Sequence, residues 1–495
     1  MTAQSTVRVA SLKDFDDFQQ HVRSLGCAIP CDREIVTGER SPLRQPLVCG
    51  PLRICNRIAV QPMEGWDGTP DGNPTELTLR RWKRFGQAGA GLIWGGEAVA
   101  VNHEGRANPN QLVIAQHTLK GLGQLRRTLL DEHQGRVGSA EGLIIGLQLT
   151  HSGRYCRPSV QHRNEPRILY HHPILDRRLG LASEYPLLTD CEIEGIIQDF
   201  HRGAVMAAQL GFDFVDIKHC HGYLAHEFLS AHTRTGKYGG SFENRTRFLR
   251  EVVQGIRSLA PDLEIGVRLS AFDTVPFQPD PRLSTPSKLG PGVPESSKDL
   301  LPYRWGFGVN EQDPTKMDLR ETVRFISLLR ELGIRLVNLT GGSPYYNPHV
   351  QRPALYPPCD GYLPPEDPLI GVARQMDATR ELKSQFPDMI FVGSAYSYLQ
   401  EFLPAVAQAA VREGWVDLVG LGRVVLTYPE ILRDASEGNA IQRKRICRTF
   451  SDCTTAPRNG LPSGCYPLDD YYRTSPIAKK LNLVKGIDPR KAAGG

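Results

Sequence analysis

Short apolar runs recur along the chain, and each is followed by a stretch whose apolar residues fall three and four apart. The runs cover 58–60, 92–94, 143–149, 212–217, 265–269, 336–339, 389–392 and 416–419. They lack the alternation of a strand with one wet face, so they read as strands covered on both sides. The clearest helical stripe is Phe248, Leu249, Val252, Val253, Ile256 and Leu259, with Ser241 as its expected N-cap. A second stripe, Leu319, Val323, Ile326, Leu329 and Leu332, ends at Gly333, a residue type suited to the left-handed turn that stops a helix. Strand followed by helix, eight times over, predicts an α/β fold with a parallel sheet, most simply a closed (β/α)8 TIM barrel. Periodicity alone leaves an open doubly wound sheet possible.

The barrel is expected over 42–440, after an N-terminal extension (1–41) and before a cysteine-containing C-terminal extension (441–495). Two long segments should leave the C-terminal ends of strands five and six, where barrel enzymes build their sites. The first is the insertion 273–317. With Pro276, Pro279, Pro281, Pro286, Pro291, Pro294 and Pro302 it is neither ordinary helix nor central strand, and it is expected to cover the barrel mouth unless it is mere decoration. The second, 341–368, carries Tyr345, Tyr346 and Tyr362. The basic tail from Ile477, with Lys479, Lys480, Lys485, Arg490 and Lys491, is expected to be solvated.

Composition narrows the functional classes. With 40% hydrophobic and 23% charged residues the chain can build a large core, and no apolar run is long enough to cross a bilayer. Asp14, Asp16, Asp17, Gln19 and Gln20 interrupt the N-terminal region where a signal peptide would be apolar, so a cytoplasmic location is expected. The net charge of +5 is spread along the chain, which argues against a nucleic-acid partner. Eleven cysteines without an export signal read as reduced thiols.

Candidate chemistry is densest just after run 212–217, where Lys218, His221 and Tyr223 bring three hydrogen-bonding, titratable tips within six residues. Such a set can polarise a carbonyl and deliver a proton. His219, His221, His226 and His232, with Cys220 among them, match no metal-ligand spacing, and no metal is expected.

The stretch Lys218, two spacers, His221, then Gly222-Tyr223-Leu224 closely resembles the signature of the Old Yellow Enzyme family of NADH:flavin oxidoreductases. The resemblance runs from about Pro42 to Arg433 and is nearest the branch of the 2,4-dienoyl-CoA reductases. It implies a (β/α)8 barrel holding FMN, NAD(P)H as hydride donor, and reduction of the activated C=C bond of an α,β-unsaturated carbonyl compound. By the same resemblance Gln61, Pro62, Met63 and Glu64 run beneath the flavin ring, and Ala98 lies at its edge. Gln148 meets the pyrimidine side, Arg268 faces N1 and O2, and Gly393, Ser394, Gly422 and Arg423 cradle the phosphate. Lys218 and His221 would grip the substrate carbonyl and Tyr223 would donate the proton, with Trp66 and Tyr345 lining the substrate pocket.

Three departures stand out. Lys218 replaces the usual histidine, and Glu64 stands where the thiol-containing branch has cysteine. Cys447, Cys453 and Cys465 keep three of the four ligands of the iron-sulfur cluster of larger relatives, but the second is missing near Thr449 and Phe450, so no cluster is expected. Only 30 residues follow Cys465, too few for the dinucleotide domain of those relatives. The partner is expected to be a small molecule, with a second copy of the chain left open. Rival readings are an amine (C–N) dehydrogenase of the same family, a Schiff-base lyase using Lys218, and a flavin binder without activity.

Overall fold

A computed structural model describes residues 6–161, 163–285 and 288–486; Pro286, Arg490 and Lys491 lie outside the described residues. All eight apolar runs are strands: β1 (Ile58–Val60), β2 (Leu92–Ile93), β3 (Ile144–Thr150), β4 (Phe214–Ile217), β5 (Glu264–Ser270), β6 (Leu336–Thr340), β7 (Ile390–Gly393) and β8 (Leu418–Leu421). Each pairs in parallel with the next. The register Val419↔Ile58, Gly420↔Ala59, Leu421↔Val60 joins β8 to β1 and closes the cylinder, so the open sheet is ruled out.

The helices that follow the strands are α1 (Glu76–Gln87), α2 (Leu119–Val137), α3 (Asp190–Gln209), α4 (Arg247–Leu259), α5 (Arg320–Glu331), α6 (Pro368–Gln385), α7 (Leu403–Arg412) and α8 (Ile431–Glu437). In α4 the stripe from Phe248 to Ile256 is buried, whereas Leu259, in the last turn, is 57% exposed. Ser241 caps a separate short helix, Phe242–Arg245, by accepting from the Asn244 N–H; the chain pauses at Thr246 before α4 begins. Gly333 follows α5 at φ +73°, the left-handed stop the sequence called for.

One side-chain parity on each strand faces the barrel axis, and its chemistry changes along the axis. At the N-terminal end Ala59, Leu92, Ile144, Phe214, Leu336, Ile390 and Leu418 form an apolar plug with Trp94, whose ring meets Phe214 edge-on at 5.2 Å. The hairpin of Leu47–Cys49 and Leu52–Ile54 closes that end, burying Ile54 in the plug. Further along, Gln61, Asp216 and Asn338 stand two residues beyond Ala59, Phe214 and Leu336, Gln148 four beyond Ile144, and Arg268 near the end of β5, all buried and polar. The barrel is therefore an oil-filled cup with a polar floor to its mouth.

Two features have no clear period in the sequence. Gly95 and Gly96, at φ +113° and +54°, interrupt β2, and the chain resumes as a short strand, Ala98–Ala100, on the outer part of β3. A Cβ on Gly95 would lie 2.7 Å from the Gln148 amide nitrogen, and one on Gly96 2.5 Å from the Trp82 ring. The tail also differs from expectation: Pro476–Val484 is a helix that buries Leu481 against Ala456, Tyr466 and Tyr472, and Lys485 donates to Asp452 at 2.7 Å. Pairing and burial hold this segment that charge alone marks as solvated.

Candidate active site

The polar floor opens into a cleft at the C-terminal ends of the strands, with ≈ 1260 Å³ of free space including its open mouth. Gln61, Pro62, Met63, Glu64, Trp66 and Gln148 line it with Lys218, His221, Tyr223 and Arg268, and so do Tyr345, Ser394, Gly422 and Arg423. Ala98 and Gly393 stand behind the wall: the Ala98 carbonyl accepts from Gln111 at 2.8 Å, and the Gly393 carbonyl from Gln61 at 3.0 Å.

Lys218 and His221 differ by an odd number of positions, so an unbroken strand would aim them to opposite faces. The ladder to β5 continues through His219, and the chain then turns at His221 (φ +68°) and Gly222 (φ +78°). That break brings both side chains into the cleft. The cost of a left-handed histidine is met by bonds on either side of its peptide: its N–H donates to Ser270 Oγ at 3.0 Å and its carbonyl accepts from Ser343 Oγ at 2.7 Å. Burial, with the Arg268 and Lys218 cations, holds the His221 imidazole neutral, its pKa far below the usual value. Of the other histidines, His219 packs against Phe325 and His226 accepts from the Gly222 N–H. Among the described residues no group of three or more His, Cys, Asp or Glu is placed to hold a metal.

Glu64 is the hub of the mouth. Its Oε1 accepts from Lys218 Nζ at 2.5 Å, and its Oε2 accepts from Trp66 Nε1 at 2.9 Å and Tyr223 Oη at 3.2 Å. The Lys218 ammonium also lies 3.9 Å from the centre of the Tyr223 ring, and the Tyr223 and Tyr345 hydroxyls are 2.9 Å apart. Burial and the Glu64 charge push the Tyr223 phenol well above its ordinary pKa, so it stays protonated.

A buried ionic cluster fixes the loop that carries Glu64. Arg81 of α1 donates to both Asp67 oxygens at 2.6 and 2.8 Å and to Glu97 at 2.7 Å, while the Gly65 N–H reaches the other Glu97 oxygen at 3.1 Å. A Cβ on Gly65 would fall 1.7 Å from the Arg81 guanidinium, so glycine is required there. The loop is tight enough that Trp66 adopts φ +49°.

Cations without partners mark the deep part of the cleft. Arg268 is 6% exposed and its Nε has no hydrogen-bond partner; the neighbouring Asp216 is already taken by Gln148 Nε2, Trp94 Nε1 and the Arg268 backbone N–H. Arg423 Nη1 and Arg352 Nη2 are likewise buried and unpartnered. Burial and the Arg423 and Arg458 charges lower the Arg352 pKa to about 9. Nearby, Gly420 is held to glycine because a Cβ would lie 2.0 Å from Gln61 Nε2 and 2.3 Å from the Gly393 carbonyl oxygen, while beside Gly422 the space is open.

Sequence reasoning missed Arg352, Ser397 and the contribution of the C-terminal extension, whose Cys453, Thr454, Arg458 and Ser463 line the cleft. Arg352 and Ser463 lie outside regular elements, Ser397 in the short helical turn Tyr396–Phe402, and Cys453, Thr454 and Arg458 in the short helix Asp452–Arg458, none of which has a clear period in the sequence. Among the described residues the insertion 273–317 adds nothing to the cleft wall. It packs aside in a cluster of Ile174, Val275, Tyr303 and Val309, and its Asp273 braces Tyr346 and Asn347 at 2.5 Å each.

Residues 42–280 match the model of the NADH:flavin oxidoreductase / NADH oxidase family. Over that segment, just under half of its length, the chain is similar to that family. The NADPH dehydrogenase of Bacillus velezensis is 32% identical over 228 residues, covering 45% of this chain and 61% of the relative. A metal reductase of Desulforamulus reducens is 26% identical over 451 residues, 90% of this chain and 54% of that protein. The chain therefore spans roughly half to two-thirds of the length of these relatives. Among solved structures, 2-naphthoyl-CoA reductase superposes with a TM-score of 0.61 at 19% identity, over 89% of this chain and 58% of that one. Morphinone reductase gives 0.51 at 21% identity, over 81% and 92%. The family match stops at 280, so Arg352, Ser394, Arg423 and the C-terminal wall complete the cleft from outside the matched segment.

Proposed function

We propose that the protein is an FMN-dependent oxidoreductase that takes hydride from NAD(P)H and reduces the activated C=C bond of an α,β-unsaturated carbonyl compound. One observation carries the flavin reading: a single cleft presents unpartnered buried guanidinium N–H groups from Arg268 and from the pair Arg423 and Arg352, beside open space at Gly422. A buried cation without an anion is costly, and a ligand with two anionic features removes that cost. FMN has both, a phosphate and a ring that gains negative charge at N1 and O2 when reduced. Arg268 would meet the ring, and Arg423, Arg352, Ser394 and the Gly422 backbone the phosphate. Bound FMN would supply hydride transfer between the nicotinamide and the electrophile.

The chain's own groups orient the substrate. An ammonium has three donors and Lys218 spends one on Glu64, leaving the others for a carbonyl oxygen. Neutral His221 adds a second donor, which draws electron density from the far carbon of the enone. Tyr223, kept protonated, gives its proton to the adjoining carbon. The Lys218 ion pair argues against a Schiff-base role, which needs a free amine.

The test is an anaerobic stopped-flow experiment on the purified protein with NADH and NADPH, followed by enones, dienoyl thioesters and amines. Bleaching of a yellow chromophore and its return with enones support the reading. Bleaching of the oxidised chromophore by amines with no return of colour on adding enones, or a colourless protein that stays so after reconstitution, overturns it.

A further inference from the structure

We propose that Glu64 reloads Tyr223 with a proton in each turnover, acting as the relay between solvent and the phenol. The inference rests on the reading of Tyr223 as proton donor and adds the step that such a donor needs. When Tyr223 gives up its proton, the Oη–H bond breaks, a C–H bond forms on the substrate, and a phenolate remains at the cleft wall.

That phenolate has two hydrogen-bonding neighbours, Glu64 Oε2 and the Tyr345 hydroxyl. Tyr223 itself is 2% exposed, so it has little direct access to water. The Glu64 side chain is 16% exposed and lines the open cleft, touching both the phenol and the solvent side. Tyr345 is the weaker relay: its ring stacks on Tyr155 at 3.9 Å, and burial raises its pKa well above an ordinary phenol. A carboxylic acid is several pKa units the stronger acid and transfers a proton to a phenolate downhill.

The charges around Glu64 set when it loads. In the resting site Lys218 Nζ donates to its Oε1, Arg268 lies more remotely, and burial keeps Cys220 and Tyr345 neutral. Loss of the Tyr223 proton places a second anion 3.2 Å from the first, and two anions so close bind a proton more tightly than either alone. The pair therefore takes a proton from hydronium or a buffer acid in the cleft at Glu64. Glu64 passes it to Oη and returns to carboxylate. One water-derived proton is consumed per hydride delivered, and no further redox partner is involved.

The deciding variant is Glu64→Gln, which keeps the size of the side chain and an acceptor oxygen but cannot carry a proton. With nicotinamide-reduced holoenzyme and an enone, the variant should lose less in the first reoxidation than in steady-state turnover, because Tyr223 starts loaded. Steady-state turnover should fall at least about tenfold, and added formate should restore it in proportion to its concentration. Glu64→Asp, shorter by one methylene, should show the same pattern in milder form and serves if the Gln variant folds poorly. Unchanged turnover, or a first reoxidation slowed as much as turnover with no rescue, overturns the relay and leaves Glu64 as a brace for Lys218. The burst-and-rescue pattern in Tyr345→Phe instead of Glu64→Gln would transfer the role to Tyr345. If neither NADH nor NADPH bleaches the wild-type flavin, the proposed function itself fails, and the relay with it.

Discussion

Replacing Arg268 with methionine should push stability and cofactor affinity in opposite directions. The guanidinium is buried at the end of β5, its Nε has no partner, and the Asp216 carboxylate beside it is occupied by other donors. An unsatisfied buried polar group costs ~1–3 kcal/mol, more if charged, and a well-packed apolar replacement removes that cost. Apoprotein carrying Arg268→Met should therefore be more stable than wild-type apoprotein by ~1–3 kcal/mol. A charge-assisted hydrogen bond to bound flavin contributes ~1.5–3 kcal/mol, and each 1.4 kcal/mol is a factor of ten, so FMN should bind roughly 10- to 100-fold more weakly. Chemical denaturation of the two apoproteins gives the first quantity, and quenching of FMN fluorescence on titration gives the second. If the variant apoprotein is less stable and FMN affinity is unchanged, Arg268 is a structural partner of Asp216 and the flavin assignment at that strand end is wrong.

Three further outcomes follow from the geometry. Tyr223→Phe should leave flavin reduction by NADPH intact and slow reoxidation by an enone at least ~100-fold, the usual contribution of a positioned acid; equal slowing of both half-reactions in stopped flow would contradict the assignment. Arg81→Met leaves Asp67 and Glu97 buried without their shared cation and should cost ~3–5 kcal/mol in chemical denaturation, with loss of the ordered Glu64 loop seen as faster amide exchange there. His133, buried in α2 with neither ring nitrogen partnered, has its pKa lowered by burial from 6.5 to about 4. Between those values the unfolded chain binds the proton and the folded one does not, so stability is lost as pH falls from 6.5 to 4. His133→Leu should flatten that part of the stability–pH curve, and an unchanged curve would refute the account.

The contrast between β4 and the C-terminal extension shows where sequence reasoning reaches its limit. Phe214–Ile217 is a continuous apolar run, and Lys218, His221 and Tyr223 follow it directly, so local pattern alone locates both the strand and its chemistry. The backbone breaks at His221 and Gly222, and that break lets both side chains face the cleft. Glu64 and Lys218, by contrast, are 154 positions apart, and nothing in either segment announces that they form an ion pair. Arg352 sits in a loop and Arg458 at the end of the short helix Asp452–Arg458, neither with a clear period, and the helix Pro476–Val484 hides its one buried leucine among lysines.

What the amino-acid order determined by itself is the eightfold strand–helix alternation and the cluster Lys218, His221 and Tyr223 after the fourth strand, because periodicity and nearness along the chain are local properties. Closure of the cylinder decided the rest. It set Glu64 of the loop after β1 against Lys218 of β4, and gathered Arg268, Arg352 and Arg423 from three strand ends around one space. Charge interactions depend on distance in space rather than along the chain, so the pairing of these groups, and the anion they await, exists only once the barrel has formed.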